Sequence, residues 1–176
     1  MKDFGKINKM IIGFTGTQSG RNNFQQKEVF NLFDKYKPTT LHHGDCIGSD
    51  AETHFDFMRW HVKNDFVERY IVIHPPVNSN KRAGVMLPYK GTLLFEELNN
   101  CKFAIKIFHK EVFPYLERNR HIVEESEIII ATPKEVEHTL RSGTWATIRY
   151  AWKLKKKVYV IPPLFAEAAV SPLEGE

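Results

Sequence analysis

The chain predicts an α/β fold: a Rossmann-like three-layer α/β/α domain on a mainly parallel sheet, with an inserted excursion at about 77–110. Three observations carry this. Short apolar, β-branched runs alternate with stretches of helical period, the rhythm that builds parallel sheets with helices on both faces. The junctions after several of those runs are rich in Gly, Ser, Thr or Asp. With 176 residues, 42% apolar and 26% charged, the chain can bury one core without staples. Residues 1–165 are read as one domain and 166–176 as a C-terminal tail.

"KINKMIIGFTG" reads as a first strand ending in a polar loop. In "NNFQQKEVFNLFDKY", Phe24, Val29, Phe30 and Phe33 fall near helical spacing. "TTLHHGD" is a second strand that stops at Gly44. "SDAETHFDFMRWHVKN" opens a helix with Ser49 or Asp50 as N-cap and Glu52 completing a capping box. "RYIVIHPP" is a third strand, stopped by Pro75 and Pro76. The rhythm then breaks: "VNSNKRAGVMLPYKG" is turn-rich, "TLLFEELNN" a short helix, and "CKFAIKIFH" an added strand or hairpin partner. "PYLERNRHIVEES" is again a helix, "EIIIATP" a strand, "SGTWATIRYAWK" a helix and "KKVYVIPP" the last strand. Trp145, Ile148 and Trp152 mark the core face of that last helix. Trp145, Tyr150 and Trp152 spread widely enough to leave aromatic surface for a two-fold contact with a second copy.

Composition narrows the function. A net charge of +4 and pI near 9.0 suit an anionic ligand, but the excess is small and part of it lies at a helix end. Without basic and aromatic residues in alternation, the chain is not expected to bind nucleic acid strongly. Two cysteines indicate no disulfide framework and a reducing compartment. "MIIGF" is too short for a signal peptide or a membrane span, so a cytoplasmic protein without membrane attachment is expected.

Ligands of open parallel sheets bind beyond the carboxyl ends of the strands. The residues expected to line such a crevice are Thr15, Gly16 and Thr17 after the first strand, and Gly44, Asp45, Gly48, Ser49 and Asp50 after the second. Arg118 and Asn119 lie at a helix mouth before the strand "EIIIATP", and Ser142, Gly143 and Thr144 at the mouth of the last helix. "GTQSG" matches neither the dinucleotide fingerprint nor the phosphate-binding loop, and no cofactor is expected. His42 and His43 point to opposite sides of a strand and cannot share a metal, so no metal site is expected. Cys46 reads as a small buried side chain rather than a nucleophile.

These segments carry a resemblance. "HGDCIGSDAETH", "YLERNRHIVEESEIIIATP" and "SGTWATIRYAWKLKKKVYVI" together resemble the SLOG superfamily, in particular its YspA-like members. The last segment is similar to a helix of the DNA-processing protein A. The resemblance implies a Rossmann-like fold that binds nucleotides or nucleotide-derived ligands and often self-associates, as a homodimer or larger assembly. The related phosphoribohydrolases, the LOG enzymes, carry "PGG-x-GT-x-x-E"; here Gly143 and Thr144 hold the GT positions and Thr147 stands at the catalytic glutamate's place. The leading expectation is a sensor or binder of a nucleotide-like small molecule. A nucleotide N-glycosidase or N-glycosyl transferase is the alternative, and a DNA-binding protein of the DNA-processing type a second. For the enzyme, Asp45 is the candidate carboxylate, since Asp50 is expected to cap its helix and Glu124 lies further off.

Overall fold

A computed structural model describes residues 9–163; the stretch read as a tail, 166–176, lies outside them. Six strands form one sheet: β1 (Ile11–Gly16), β2 (Thr40–His43), β3 (Arg69–Ile73), β4 (Ile105–His109), β5 (Ile128–Thr132) and β6 (Lys157–Val160). Their order is β4-β3-β2-β1-β5-β6 and every pairing is parallel. Five helices connect them: α1 (Asn23–Tyr36), α2 (Ser49–Lys63), α3 (Leu93–Asn99), α4 (Tyr115–Glu124) and α5 (Gly143–Lys153). This is the predicted α/β fold. The stretch at 77–110 does not leave the sheet, however. It rejoins as β4 beside β3, with α3 as crossover, and parallel pairing rules out the hairpin alternative.

Helix α1 begins where Asn22 and Gln25 exchange side-chain bonds with each other's backbone amides, a capping box. Helix α2 starts differently from expectation. Its N-cap is Gly48, with no side-chain cap; Asp50 lies inside the first turn and reaches back to the preceding loop.

Two apolar clusters hold the sheet. One face packs Ile12, Phe14, Leu41, Ile71 and Ile73 against Val29, Phe33, Phe57 and Trp60 of α1 and α2, with Leu94 and Leu98 of α3 at its margin. The other packs Ile129, Ala131, Val158 and Val160 against Val123 of α4 and Trp145, Ile148 and Ala151 of α5. Trp145 is thus core, and Tyr150 and Trp152 pack on the same cluster. The Tyr150 hydroxyl also donates to Glu124. The spare aromatic surface expected on this helix is largely taken up within the chain.

Among the described residues the second layer is incomplete. Helices α4 and α5 cover β1, β5 and β6, while Thr40 and His42 of β2, Tyr70 and Val72 of β3 and Phe108 of β4 line an open concavity of about 800 Å³. Among the described residues no helix is long and apolar enough to cross a membrane.

Buried histidines should make the fold acid-sensitive. His43 and His54 share a 3.0 Å bond, and His54 Nε2 donates to the Met86 carbonyl. Burial lowers His54 to about 4 and His43 well below the usual imidazole value. A native pKa below the unfolded one gives stability that is complete above about 6.5 and is lost as pH falls toward 4, at about 1.4 kcal/mol per pH unit for each such group. Burial raises Asp50 to about 6, which acts in the opposite sense over the lower part of the same window. The histidines outnumber it. Urea unfolding should therefore show lower stability at pH 5 than at pH 7, with a shallower fall in His54→Gln; stability that rises toward pH 5 would refute this.

Candidate functional site

Connections from β1 to β4 run outward on one side, and the chain then returns to place β5 on the other side of β1. The strand order reverses there, so the loops after β1 and β5 part and leave a crevice. A cleft of about 650 Å³ occupies this place. Its floor is Gly16, Thr17 and Gln18 from the first loop and Ser142, Gly143 and Thr144 from the mouth of α5. Lys81, Lys134, Arg141 and Arg149 supply positive charge, Leu116, Leu140 and Ala146 apolar wall, and Tyr115 and Glu135 the remaining polar groups.

Ser142 is the N-cap of α5 and accepts from the Trp145 amide at 3.4 Å. Gly143 and Thr144 follow as the first helical residues, whose amides have no intrahelical acceptor. With the helix dipole behind them they favour an anion. Arg149 is fixed by carbonyl contacts, at 3.4 Å to Thr139 and 3.1 Å to Leu140, which hold the loop on the cleft's rim.

The remaining residues expected in the crevice sit behind it. Asp45, the candidate catalytic carboxylate, is fully buried. One of its oxygens accepts from Arg82 Nε at 2.7 Å, the other from the Val85 amide at 3.1 Å, and its carbonyl accepts from Ala83 at 2.7 Å. It stitches the 81–85 segment to the turn after β2, which carries Lys81 to the cleft. These bonds give Asp45 a structural role. Asp50 accepts from the Gly44 and Cys46 amides at 3.1 and 3.2 Å, rather than capping α2. Arg118 is buried, donates to Cys46 Sγ at 3.2 Å and lies 3.8 Å from Asp50. Its guanidinium fills the space beside Gly44, where a Cβ would overlap it. Burial raises the Cys46 thiol, so it has no thiolate character.

Gly48 has φ +83 and lies against the Gln18 carbonyl, so it serves the turn. Ser49 is buried, with its amide on the Thr17 carbonyl at 3.0 Å, and Thr15 is buried within β1. Asn119 donates to Thr147 Oγ1 at 2.7 Å, and that hydroxyl donates to the Gly143 carbonyl at 3.0 Å. Thr147 therefore ties α4 to α5.

Lys81, Tyr115, Glu135 and Arg149 were not expected here. Glu135 is the notable one: it is a carboxylate inside the cleft, and one buried oxygen has no hydrogen-bond partner. It sits in a loop without periodicity, so no pattern in the sequence marks it.

The fold and cleft define a Rossmann-like parallel α/β protein with an anion-ready crevice at the switch point. No family model matches the chain, and no curated protein matches it in sequence. Solved structures of similar fold include the molybdenum cofactor binding protein from the phototrophic bacterium Rippkaea orientalis, at 16% identity and TM-score 0.52, covering 89% of this chain and 78% of that one. Another is DNA processing protein A from Streptococcus pneumoniae, at 15% identity and TM-score 0.54, covering 89% of this chain. The chain spans about half of that protein, 52% of its length. At these identities the likeness is one of fold.

Gly143 has a second reason to be small. A Cβ there would run into the hydroxyl and ring of Tyr115. Gly143→Ala should destabilise the chain by about 1–3 kcal/mol, and most of that cost should vanish when it is made in a Tyr115→Ala background. Chemical denaturation of the four chains gives the coupling; additivity of the two changes would overturn the contact.

Proposed function

We propose that this chain binds a phosphorylated, nucleotide-derived small molecule in the switch-point cleft. The observation that carries the reading is the start of α5: Ser142, Gly143 and Thr144 open onto a cleft bearing four cationic side chains, Lys81, Lys134, Arg141 and Arg149. Free helix amides and cations together suit a phosphate. Leu116 and Leu140, exposed by 56% and 76%, offer apolar surface to a base. Glu135, with an oxygen lacking a partner, suits a sugar hydroxyl. The SLOG resemblance agrees with this ligand class, as does a fold shared with a molybdenum cofactor binding protein.

The enzymatic alternative has one observation in its favour, the Glu135 carboxylate in the cleft. It moves the candidate group for N-glycosidic cleavage from Asp45 to Glu135, since such chemistry needs a carboxylate beside the sugar carbon or its attacking water.

Thermal unfolding with a panel of nucleoside mono- and diphosphates is the test. A true ligand at one hundred times its Kd should stabilise the chain by about 2.7 kcal/mol. Arg141→Gln and Lys134→Gln should weaken that shift while leaving the unliganded Tm in place. No shift from any nucleotide, or an equal shift in both variants, would overturn the reading. Release of free base that stops in Glu135→Gln would establish the enzyme.

A further inference from the structure

The open face of the sheet carries a second cluster, independent of the cleft. His42 on β2 projects to this face, opposite to His43. His74 follows β3, and its amide extends the ladder by bonding to the His43 carbonyl at 2.9 Å. Glu125 caps the end of α4. His42 Nδ1 is 2.9 Å from His74 Nε2 and 3.6 Å from Glu125 Oε2, and the three ligand atoms all lie within 4.8 Å of one another. We propose that His42, His74 and Glu125 form a binding site for a divalent transition metal of the zinc class.

The donor set is the reason. Bonds of about 2.0–2.1 Å at tetrahedral angles place neighbouring donors about 3.3–3.5 Å apart, and the two measured separations bracket that range. One hydrogen bond serves the two imidazole nitrogens and leaves Glu125 Oε2, 3.6 Å from His42 Nδ1, to Lys110. A cation at the centre satisfies all three. Both histidines are buried, at 4% and 2% exposure, surroundings that favour the neutral, ligating imidazole. His42 and Glu125 line the concavity of about 800 Å³, which gives a path for the ion and room for water at a fourth position. Two imidazoles and one carboxylate with an open position is a zinc-type set.

A second cluster, His61, Asp65 and Cys101, shows what fails the same test. Both His61 nitrogens are already used there, one on the Phe103 carbonyl and one on the Arg69 guanidinium, each at 2.8 Å.

One charge competes with the metal. Lys110 Nζ lies 3.1 Å from Glu125 Oε2, on the carboxylate that the ion needs. Its ammonium stands in for the cation, so removing it should strengthen metal binding. A merely structural histidine pair would show no such gain.

The experiment is zinc titration of the untagged full chain after chelator treatment, followed by calorimetry, with cobalt as a spectroscopic probe. One equivalent should bind, and cobalt should develop the intense visible bands of low coordination. Glu125→Gln, at a partly exposed position that leaves the core untouched, should lower affinity by roughly 10- to 100-fold, judged by the usual effect of losing a metal-site partner. His74→Gln should do at least as much, with far-ultraviolet circular dichroism confirming the fold. Lys110→Met should raise affinity several-fold. No stoichiometric binding, or affinity unchanged in Glu125→Gln and Lys110→Met, would overturn the site.

Discussion

A buried guanidinium organises the carboxyl edge of this sheet. Arg118 is almost fully out of water, which costs several kcal/mol unless the charge is matched. Asp50 and the Cys46 sulfur face it on one side, and the Tyr115 ring lies 5.0 Å from its carbon on another. The same position requires Gly44 to have no side chain, since the guanidinium occupies that volume. Tyr115, so placed, in turn requires a glycine at 143. The small residues at two loop ends thus follow from one cation in the interior. Burial raises Asp50 to about 6 even beside Arg118, so desolvation outweighs the attraction at this carboxylate.

Much of the architecture is legible in the sequence because it rests on local period. The apolar runs of β1, β2, β3, β5 and β6 and the helical spacing of α1, α2, α4 and α5 are local properties, and all are found where the sequence places them. β4 is less legible. Its burial alternates only weakly, as an edge strand beside an uncovered face, so the run 101–109 reads equally as strand or hairpin partner. Side-chain partners are the least legible of all. Asp45 and Arg82 are 37 residues apart in sequence, and only the folded chain shows that the carboxylate is spent on a loop. Ser49, Asp50 and Glu52 match a capping box, yet backbone geometry at Gly48 makes the glycine the cap and frees Asp50 to serve the turn behind it.

The glycine-bearing junctions therefore divide into two kinds. Gly16 and Gly143 line the cleft, although the space a Cβ would take is filled by Ser49 and Thr132 at the first and by Tyr115 at the second. Gly44 and Gly48 face protein: an arginine in one case, the Gln18 carbonyl in the other. From the sequence both kinds look alike, because a glycine is required wherever any atom comes close, whether it belongs to a ligand or to the chain itself.

Some cations of the surface are met by carboxylates, as in Arg21 with Asp56, Lys106 with Glu68 and Lys110 with Glu125, while others, such as Lys27, Lys63 and Arg120, enter no ion pair among the described residues. The cleft differs in gathering four cations around one helix mouth. Among the described residues, Lys81, Lys134, Arg141 and Arg149 enter no ion pair, although Glu135 lies in the same cleft. Like charges gathered around a helix N-terminus repel one another and its dipole, a cost that folding alone gives no reason to keep. An anion at Gly143, as proposed, would remove that repulsion and gain the helix amides in the same step. The buried stitching by Asp45, which brings Lys81 from a distant loop to this cleft, is then intelligible as the structural means of assembling a positive site from segments that are far apart in the chain.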